Sequence, residues 1–569
     1  MNSGSTGSTS VPLVVGITGH RDLVAAEVPQ IRSRVEGFFA DLRAQFPDLP
    51  IMVLHGVAEG ADMLVAQAAR DMGCEVVNVL PMPADLYAED FSTEGLSQFR
   101  NLLAEFESVE LPLLSPQAKA SGPQRDMQYE QLGAFLAAHS HILLALWDGK
   151  YNTAVGGTGQ VVDFHQRDIS ALADDQIRSQ LDVTDDESDL VYHVVCSRQA
   201  EGAPATGLVP GTAFWFTRDH EAPRVEQMPP RYVAVFDQLQ TFNRDIQALP
   251  THADFYCLEP RAVQGPAQRA CSTIQQMFGI SDALASRFQR RVLWALRTTL
   301  VSTVLAGLCF IVYADFDDQA HFIWGYFTFV LLALASYFVA YKRDWQRRYL
   351  DYRVLAEALR VQYYWALGGV EMTNPSRYSH DSFFQGRDLQ LGWIRNVMRV
   401  TGLYADANVE PDAQDLADAI EGWVGDEQSG QLGYYRNKAA DKLHKHRQTG
   451  KVTAAAFILG LCAAAVLALA GEQLSGSSAN WLVAIMGLLP IVAAARQNYA
   501  HRVAERELAA QYGHMLKVFE NAHRLLHQST SSTDKQRVLR DLGEAALNEN
   551  AQWVLRQRER PLPGGESVG

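Results

Sequence analysis

Two patterns of apolar and polar positions divide the chain. In the first, short β-branched runs alternate with stretches of helical period: Val11 to Ile17, Ile51 to Leu54, Glu75 to Leu80, Val109 to Leu114, His141 to Trp147 and Leu190 to Cys196. Such alternation predicts an α/β, Rossmann-like domain with a mainly parallel sheet. In the second, beginning after Arg297, long stretches lose their charges. Phe322 to Tyr341 is twenty residues without a formal charge, which at ~1.5 Å per residue covers the ~30 Å hydrocarbon layer. Thr298 to Ala314 reaches a similar length if it extends back through Val292 with Arg297 snorkelling to the headgroups. Val452 to Ala470 and Trp481 to Ala495, the latter with Pro490 inside it, complete four predicted spans in two hairpins, an all-α membrane half.

Each pair of spans is joined by a short connector poor in basic residues, Asp315 to His321 and Gly471 to Asn480. Arginines and lysines gather at the opposite ends: Arg287, Arg290, Arg291 and Arg297 before the first pair, Lys342, Arg343, Arg347 and Arg348 after it. Lys442, Lys445, Arg447, Lys451, Arg496, Arg502 and Arg506 do the same around the second. The positive-inside rule then places the N-terminus, the central segment and the C-terminus in the cytoplasm of a multi-pass inner (plasma) membrane protein. After each pair the helical period returns, through Trp345, Tyr349, Tyr352, Ala356, Leu359 and Tyr363, and again through Leu508, Tyr512, Met515, Phe519, Ala522 and Leu526. These amphipathic continuations need apolar partners, which points to helix pairing within a chain or in a homo-oligomer.

Length and charge sharpen this division. The 569 residues exceed one domain several-fold. Forty-nine basic against 65 acidic residues leave a net charge of −16, the wrong sign for a nucleic-acid binder. The six cysteines are dispersed without CxxC spacing, so neither a disulfide framework nor a metal site is expected. The Gly/Ser/Thr-rich lead, residues 1–10, has no basic and apolar signal-peptide pattern. The expected organisation is a nucleotide-binding domain over 11–200, a sensor extension over 201–281, a first membrane hairpin and cytoplasmic helix over 282–370, a connector over 371–437, a second hairpin and helix over 438–530, and a tail over 531–569 whose end, from Arg558, is expected to be disordered. The segment Asp282 to Leu296 is the expected lever between sensor and membrane.

In a parallel sheet, ligands bind beyond the carboxyl ends of the strands. There the sequence places Gly16, Thr18, Gly19, His20 and Arg21 after the first strand; glycines and a cation suit a phosphate. After the second come His55, Gly56, Glu59, Gly60 and Asp62, the carboxylates being acceptors for a ribose diol or caps for the following helix. Pro81 and Tyr87, with Asp90 and Phe91, follow the third. Trp147, Asp148 and Gly149, then Gly156, Gly157 and Thr158, follow the fifth. Arg125, Tyr129 and Glu130, on the helix before the fifth strand, are candidates to reach the same edge or a neighbouring subunit, the alternative being a solvated helix face. Few ionisable residues lie within the spans, which disfavours an ion-coupled carrier. A pore would be lined by small residues such as Ala464, Ala465 and Ala468 or Thr299, Ser302 and Thr303.

The set GITGHR, LHGVAEGAD, VLPMPADLYAEDF and LLALWDG with GGTGQVV resembles the SLOG superfamily over about residues 11–200. This group of Rossmann-like domains is related to lysine-decarboxylase-like cytokinin-activating proteins and DNA-processing proteins, and is similar to the nucleotide-sensing region of TRPM-type channels. RYLDYRVLAEALRVQYYWALGG and GWVGDEQSGQLGYYRNKAADKLHKHRQ resemble SLATT domains, two-helix membrane modules paired with SLOG sensors in bacterial conflict systems. The combined resemblance implies a ligand-gated membrane effector of antiphage defence. Its ligand would be a nucleotide-derived second messenger, ADP-ribose-like or cyclic, made by a partner enzyme, and it would need no obligatory cofactor. The alternative it implies is a membrane-tethered nucleotide N-glycosidase with Glu59, Asp62, Asp148 or Asp163 as its carboxylate. The family's PGGxGTxxE motif is degraded here to VGGTGQVVD, which weakens that reading.

Overall fold

A computed structural model of the chain describes residues 10–119, 122–151, 155–167, 190–200, 202–217, 223–250, 255–258, 267–316, 320–370, 380, 391–405, 413–470, 473 and 475–558. The expected disordered lead (residues 1–9 of it) and the chain end beyond Arg558 lie outside these residues. The chain forms two compact units, residues 1–280 with 357–416, and residues 281–356 with 417–569.

The first unit is built on a parallel-dominated mixed sheet. Its strands are β1 (Leu13–Gly19), β2 (Ile51–His55), β3 (Glu75–Leu80), β4 (Glu107–Glu110), β5 (Ile142–Trp147), β6 (Leu190–Val195), β7 (Ala213–Phe216) and β8 (Arg224–Val225). Their order is β4-β3-β2-β1-β5-β6-β7-β8, parallel through β6 and antiparallel at β7 and β8. Strands β1, β2 and β5 are almost continuously buried because they are covered on both faces, as their unbroken apolar runs require. Alternation in β6 shows the two layers. Tyr192 stacks on Phe38 of α1 (Val28–Gln45), while Val191 joins Val161 and Val162 of α6 (Thr158–Arg167) on the other side. Helices α2 (Ala61–Asp71), α3 (Ala84–Tyr87), α4 (Thr93–Glu105) and α5 (Pro123–His139) fill the remaining crossovers.

β4 lies two to four residues before the expected run Val109 to Leu114. Pro112 has no N–H for the ladder, so the edge strand ends ahead of it and takes the polar sequence Glu107–Glu110 instead. The segment after residue 200 extends the sheet. The run Thr212 to Thr217 contains β7, and α7 (Pro230–Gln247) anchors to the amino-terminal end of β1, where the Asn243 side chain accepts from Val11 N at 2.9 Å and donates to Val11 O at 3.0 Å. Helix α11 (Gly392–Gly402) packs at the same end. The His141 ring meets the Asn396 carbonyl at 3.0 Å, and the Arg399 guanidinium donates to Ser140 O at 3.1 Å.

The second unit is helical. Its long elements are α8 (Ala267–Asp315), α9 (Phe322–Lys342), α10 (Trp345–Gly368), α13 (Gly430–Ala470), α14 (Gly476–Arg502), α15 (Glu505–Gln528) and α16 (Ser532–Arg558); the short α12 (Ala413–Ala419) leads through a π turn, Ile420–Val424, into it. The division between units falls inside α8, α10 and α12. Four helical stretches are long and apolar enough to cross a membrane, and 6 to 22% of their most apolar windows is buried. Ser336 Oγ of α9 donates to Ala295 O of α8 at 3.2 Å, and Asn480 Nδ2 of α14 to Asp315 O at 2.6 Å. The amphipathic continuations pack on the long helices. Phe288 meets Tyr352 edge-on, Gln289 donates to Tyr349 OH at 3.1 Å, and Tyr435 packs on Phe519. Within the span expected as a tail, α16 buries Leu539, Leu542, Leu547 and Val554, and its Asn550 side chain donates to Val354 O at 3.2 Å.

Candidate functional site

The order of strands reverses between β1 and β5, and the loops after these two strands open the crevice where doubly wound sheets bind ligands. The loops after β2 and β3 border the β1 side. The expected binding residues lie on these four loops or on the strand ends and helix starts that flank them, except Gly16, which sits in the middle of β1, and Asp163, one and a half turns into α6.

Close packing accounts for both glycines of β1, and it removes Gly16 from the ligand edge, since it lies in mid-strand against Ser140, which precedes β5. A Cβ on Gly16 would overlap the Ser140 side chain, and one on Gly19 would overlap Ala61 of α2 and Leu146 of β5. Thr18 is buried in β1. His20 Nε2 lies 3.1 Å from Asp148 N and 3.2 Å from Asp148 Oδ1, joining the β1 and β5 loops; burial lowers its pKa, against the pull of Asp148. Asp148 Oδ1 also accepts from Lys150 N at 3.1 Å, and Trp147 Nε1 donates to Lys150 O at 3.2 Å. Gly149 takes φ +79°, with Leu208 and His193 closing over it. His193, which periodicity did not single out, contacts Trp147 O through Nε2 at 2.9 Å, and burial pushes its pKa down to about 4. Only the register that sets it beside Ala145 brings it to this edge.

The β2 loop is organised around Asp62 in the first turn of α2. Its Oδ2 accepts from Gly56 N at 3.1 Å and Ala58 N at 3.4 Å. Burial raises its pKa to about 7, against those bonds and the nearby Arg21 guanidinium. Val57 adopts φ 59°, an unusual conformation for a β-branched residue, and that strain at a buried loop position is of the kind found at functional sites. His55 is wholly buried and satisfied, between Asn78 Oδ1 at 2.9 Å and Val57 N at 3.3 Å, and burial brings its pKa to about 4. It is a core histidine. Glu59 turns outward to accept from Ser92 Oγ at 2.6 Å and Ser92 N at 3.1 Å, so it steadies the start of α4. Gly60 has φ +86°, and a side chain there would collide with the Arg21 backbone, which fixes the β1 and β2 loops together.

The β3 loop brings an aromatic wall. Tyr87 is buried, donates to Gly56 O at 3.0 Å and meets Phe91, Phe99 and Tyr129 edge-on; burial raises its pKa. The Pro81 carbonyl accepts from Gln128 Nε2 at 2.6 Å. Arg125 of α5 holds Asp90 Oδ2 at 2.9 and 3.0 Å, the Tyr129 hydroxyl bonds the same oxygen, and the exposed Arg21 guanidinium lies 5.4 Å from the centre of the Tyr129 ring. At the β5 side, Gly156 N donates to Gln160 Oε1 at 2.6 Å, and Gln160 Nε2 to Glu130 Oε1 at 2.9 Å, so Glu130 serves the turn that starts α6 at Gly157 and Thr158.

Chemically, the edge offers a cation over an aromatic ring, Arg21, a second cation on the β5 loop, Lys150, and a buried carboxyl poised near neutrality, Asp62. It also offers helix starts at α2 and α6, whose N–H groups favour an anion. Among the described residues no group of three His, Cys, Asp or Glu side chains could hold a metal ion. No protein-family model matches the chain, and no curated protein matches it.

Proposed function

We propose that the chain is a membrane effector in which a nucleotide-derived second messenger, ADP-ribose-like or cyclic, binds the carboxyl edge of the sheet and opens a pore or disrupts the bilayer. The observation that carries this reading is the presence, in one chain, of a doubly wound sheet with Arg21, Tyr129 and Asp62 at its switch point and four helices of membrane-crossing length and hydropathy. In this reading the first unit is a SLOG-like sensor. The second comprises two SLATT-like hairpins in the inner membrane, with both termini cytoplasmic. The effector works as a homo-oligomer in antiphage defence, downstream of an enzyme that makes the messenger. Arg21 receives the phosphates, Tyr129, backed by the buried Tyr87, the base, and Asp62 or Asp148 the ribose. A ligand shifts a closed-to-open equilibrium only through unequal affinity for the two states, so the loops holding it must differ between them.

The test is dye release from liposomes of bacterial lipid containing the full chain, with ADP-ribose, cyclic ADP-ribose and cyclic oligonucleotides as probes. At least one probe should trigger release. Arg21→Ala and Gly60→Val should abolish that response while leaving insertion intact. Release that ignores every probe, or that persists in both variants, overturns the reading. Asp62 favours a second reading, since a carboxyl with a pKa near 7 suits general acid–base work. Under an N-glycosidase mechanism, a nucleotide incubated with the chain releases its free base, and Asp62→Asn stops it.

A further inference from the structure

On the α1 side of the sheet, an open groove of about 560 Å³ runs between α1, β6, β7 and the start of α7. It shares no residue with the candidate nucleotide site. Its floor is apolar: Phe38, Leu42, Trp215 and Met228 are buried there. Tyr192 stacks on Phe38 with ring centres 4.5 Å apart and meets Trp215 edge-on at 4.9 Å, and it is the partly exposed ring of the three. The rim carries Asp41 from α1 and Glu226 from the turn before α7, both exposed and neither engaged with another described residue by hydrogen bond or ion pair. The Tyr192 hydroxyl likewise has no hydrogen-bond partner among the described residues. Burial raises the Tyr192 pKa, the Arg34 guanidinium opposes that rise and the Asp41 carboxylate adds to it, so both charges stand close to the ring. Arg34 is turned away, its Nε donating to Gly211 O at 3.0 Å, and it does not line the groove.

We propose that this groove is a second small-molecule site, selective for an organic cation: a primary ammonium or guanidinium on an apolar or aromatic body. The volume falls in the ~300–1,000 Å³ range of small-ligand sites, and apolar walls with a few convergent polar groups are their usual lining. Two carboxylates without a partner among the described residues, beside an aromatic cluster, complement a cation and would repel the phosphorylated ligands of the other site. The apolar body sits on Phe38, Trp215 and Met228, and the charged head lies between Asp41 and Glu226 with Tyr192 beside it.

The experiment is calorimetric titration of the full detergent-solubilised chain with tyramine, benzylammonium and agmatine, and with 4-ethylphenol as the neutral counterpart of tyramine. One of the cations should saturate a single site, and 4-ethylphenol should bind at least several-fold more weakly. Each exposed carboxylate should contribute a few-fold, so Asp41→Asn with Glu226→Gln should weaken the cation roughly tenfold. Both positions are exposed, so the variant folds, and its response to nucleotide probes should stay as in the parent. No saturable binding of any cation, equal binding of 4-ethylphenol, or unchanged affinity in the double variant would each overturn the proposal.

Discussion

Asp62 shows how far a single residue outruns its sequence context. A carboxylate two positions after Gly60 reads equally well as a helix cap or as a ribose acceptor. In the fold it reaches back to the Gly56 and Ala58 amides because Val57 turns through a positive φ that no residue pattern announces. His55, expected at the same ligand edge, is held in the core by the Asn78 side chain on the neighbouring strand. Arg21 and Tyr129 were legible as candidates but not as a pair, since 108 positions separate them and only the placement of α5 unites them. The Asp62 pKa gives a stability prediction. It rises from about 4 in the unfolded chain to about 7 in the fold, chiefly through burial, so the ionised form is the one the fold disfavours. Stability is therefore fullest below the unfolded value and is lost as pH rises towards and through 7. Asp62→Asn keeps an acceptor for the Gly56 amide without the charge. Its melting-temperature advantage over the parent should already be present but small near pH 5 and should grow by several degrees towards pH 8. A constant offset between the two proteins across that range would refute the burial argument.

At the scale of elements, the periodicities of two and 3.6 placed most strands and all the apolar helices, because both signals come from a face that must be buried or meet lipid. What they missed is equally physical. β4 is a polar edge strand of four residues, and its ending is set by Pro112. α16 presents sparse leucines on a charged helix and is nucleated by a cap, with Ser531 Oγ accepting from Asp534 N at 3.0 Å, a signal easily read as part of a polar tail. The resemblance between the two amphipathic continuations, by contrast, extends into the backbone. α9 passes into α10 through Asp344 at φ 48°, and α14 into α15 through Ala504 at φ 53°. At both, the amide of the left-handed residue bonds the carbonyl three positions back, and its own carbonyl opens the next helix, to Arg348 N in one case and Leu508 N in the other. Each junction begins a helix of 24 residues. A left-handed alanine costs roughly 1 kcal/mol that glycine does not pay. Ala504→Gly should thus be neutral or stabilising, whereas Ala510→Gly, one and a half turns into α15 on an exposed face, should cost about 1 kcal/mol. Thermal unfolding of the two variants in detergent checks the pair, and a like-signed shift of similar size would show that the break is not strained.

For the whole molecule, the decisive quantity is the apolar surface that the second unit leaves uncovered. Leu331, Leu334, Phe338, Leu459, Leu461 and Leu469 are each more than half exposed, on helices of 21 and 41 residues. Contiguous surface of this kind is far beyond what single exposed residues on a water-soluble protein amount to. Lipid is the solvent that such helices suit. The length and hydropathy of the spans made this legible from sequence, since a bilayer constrains composition more strictly than a protein core does. The sidedness rests on the basic residues at the ends of the spans, and two native cysteines test it together with insertion. Cys257, in the first unit, and Cys462, in the middle of the apolar part of α13, are the exposed thiols, whereas Cys74, Cys196, Cys271 and Cys309 are buried. In inside-out inner-membrane vesicles a membrane-impermeant maleimide should modify Cys257 and leave Cys462 untouched until detergent is added. In spheroplasts, where only the outer face is open, it should modify neither. Labelling of Cys462 in intact vesicles would mean that α13 lies in water, and labelling of Cys257 in spheroplasts would invert the topology. Either result is read directly by mass spectrometry of the two cysteine-containing peptides.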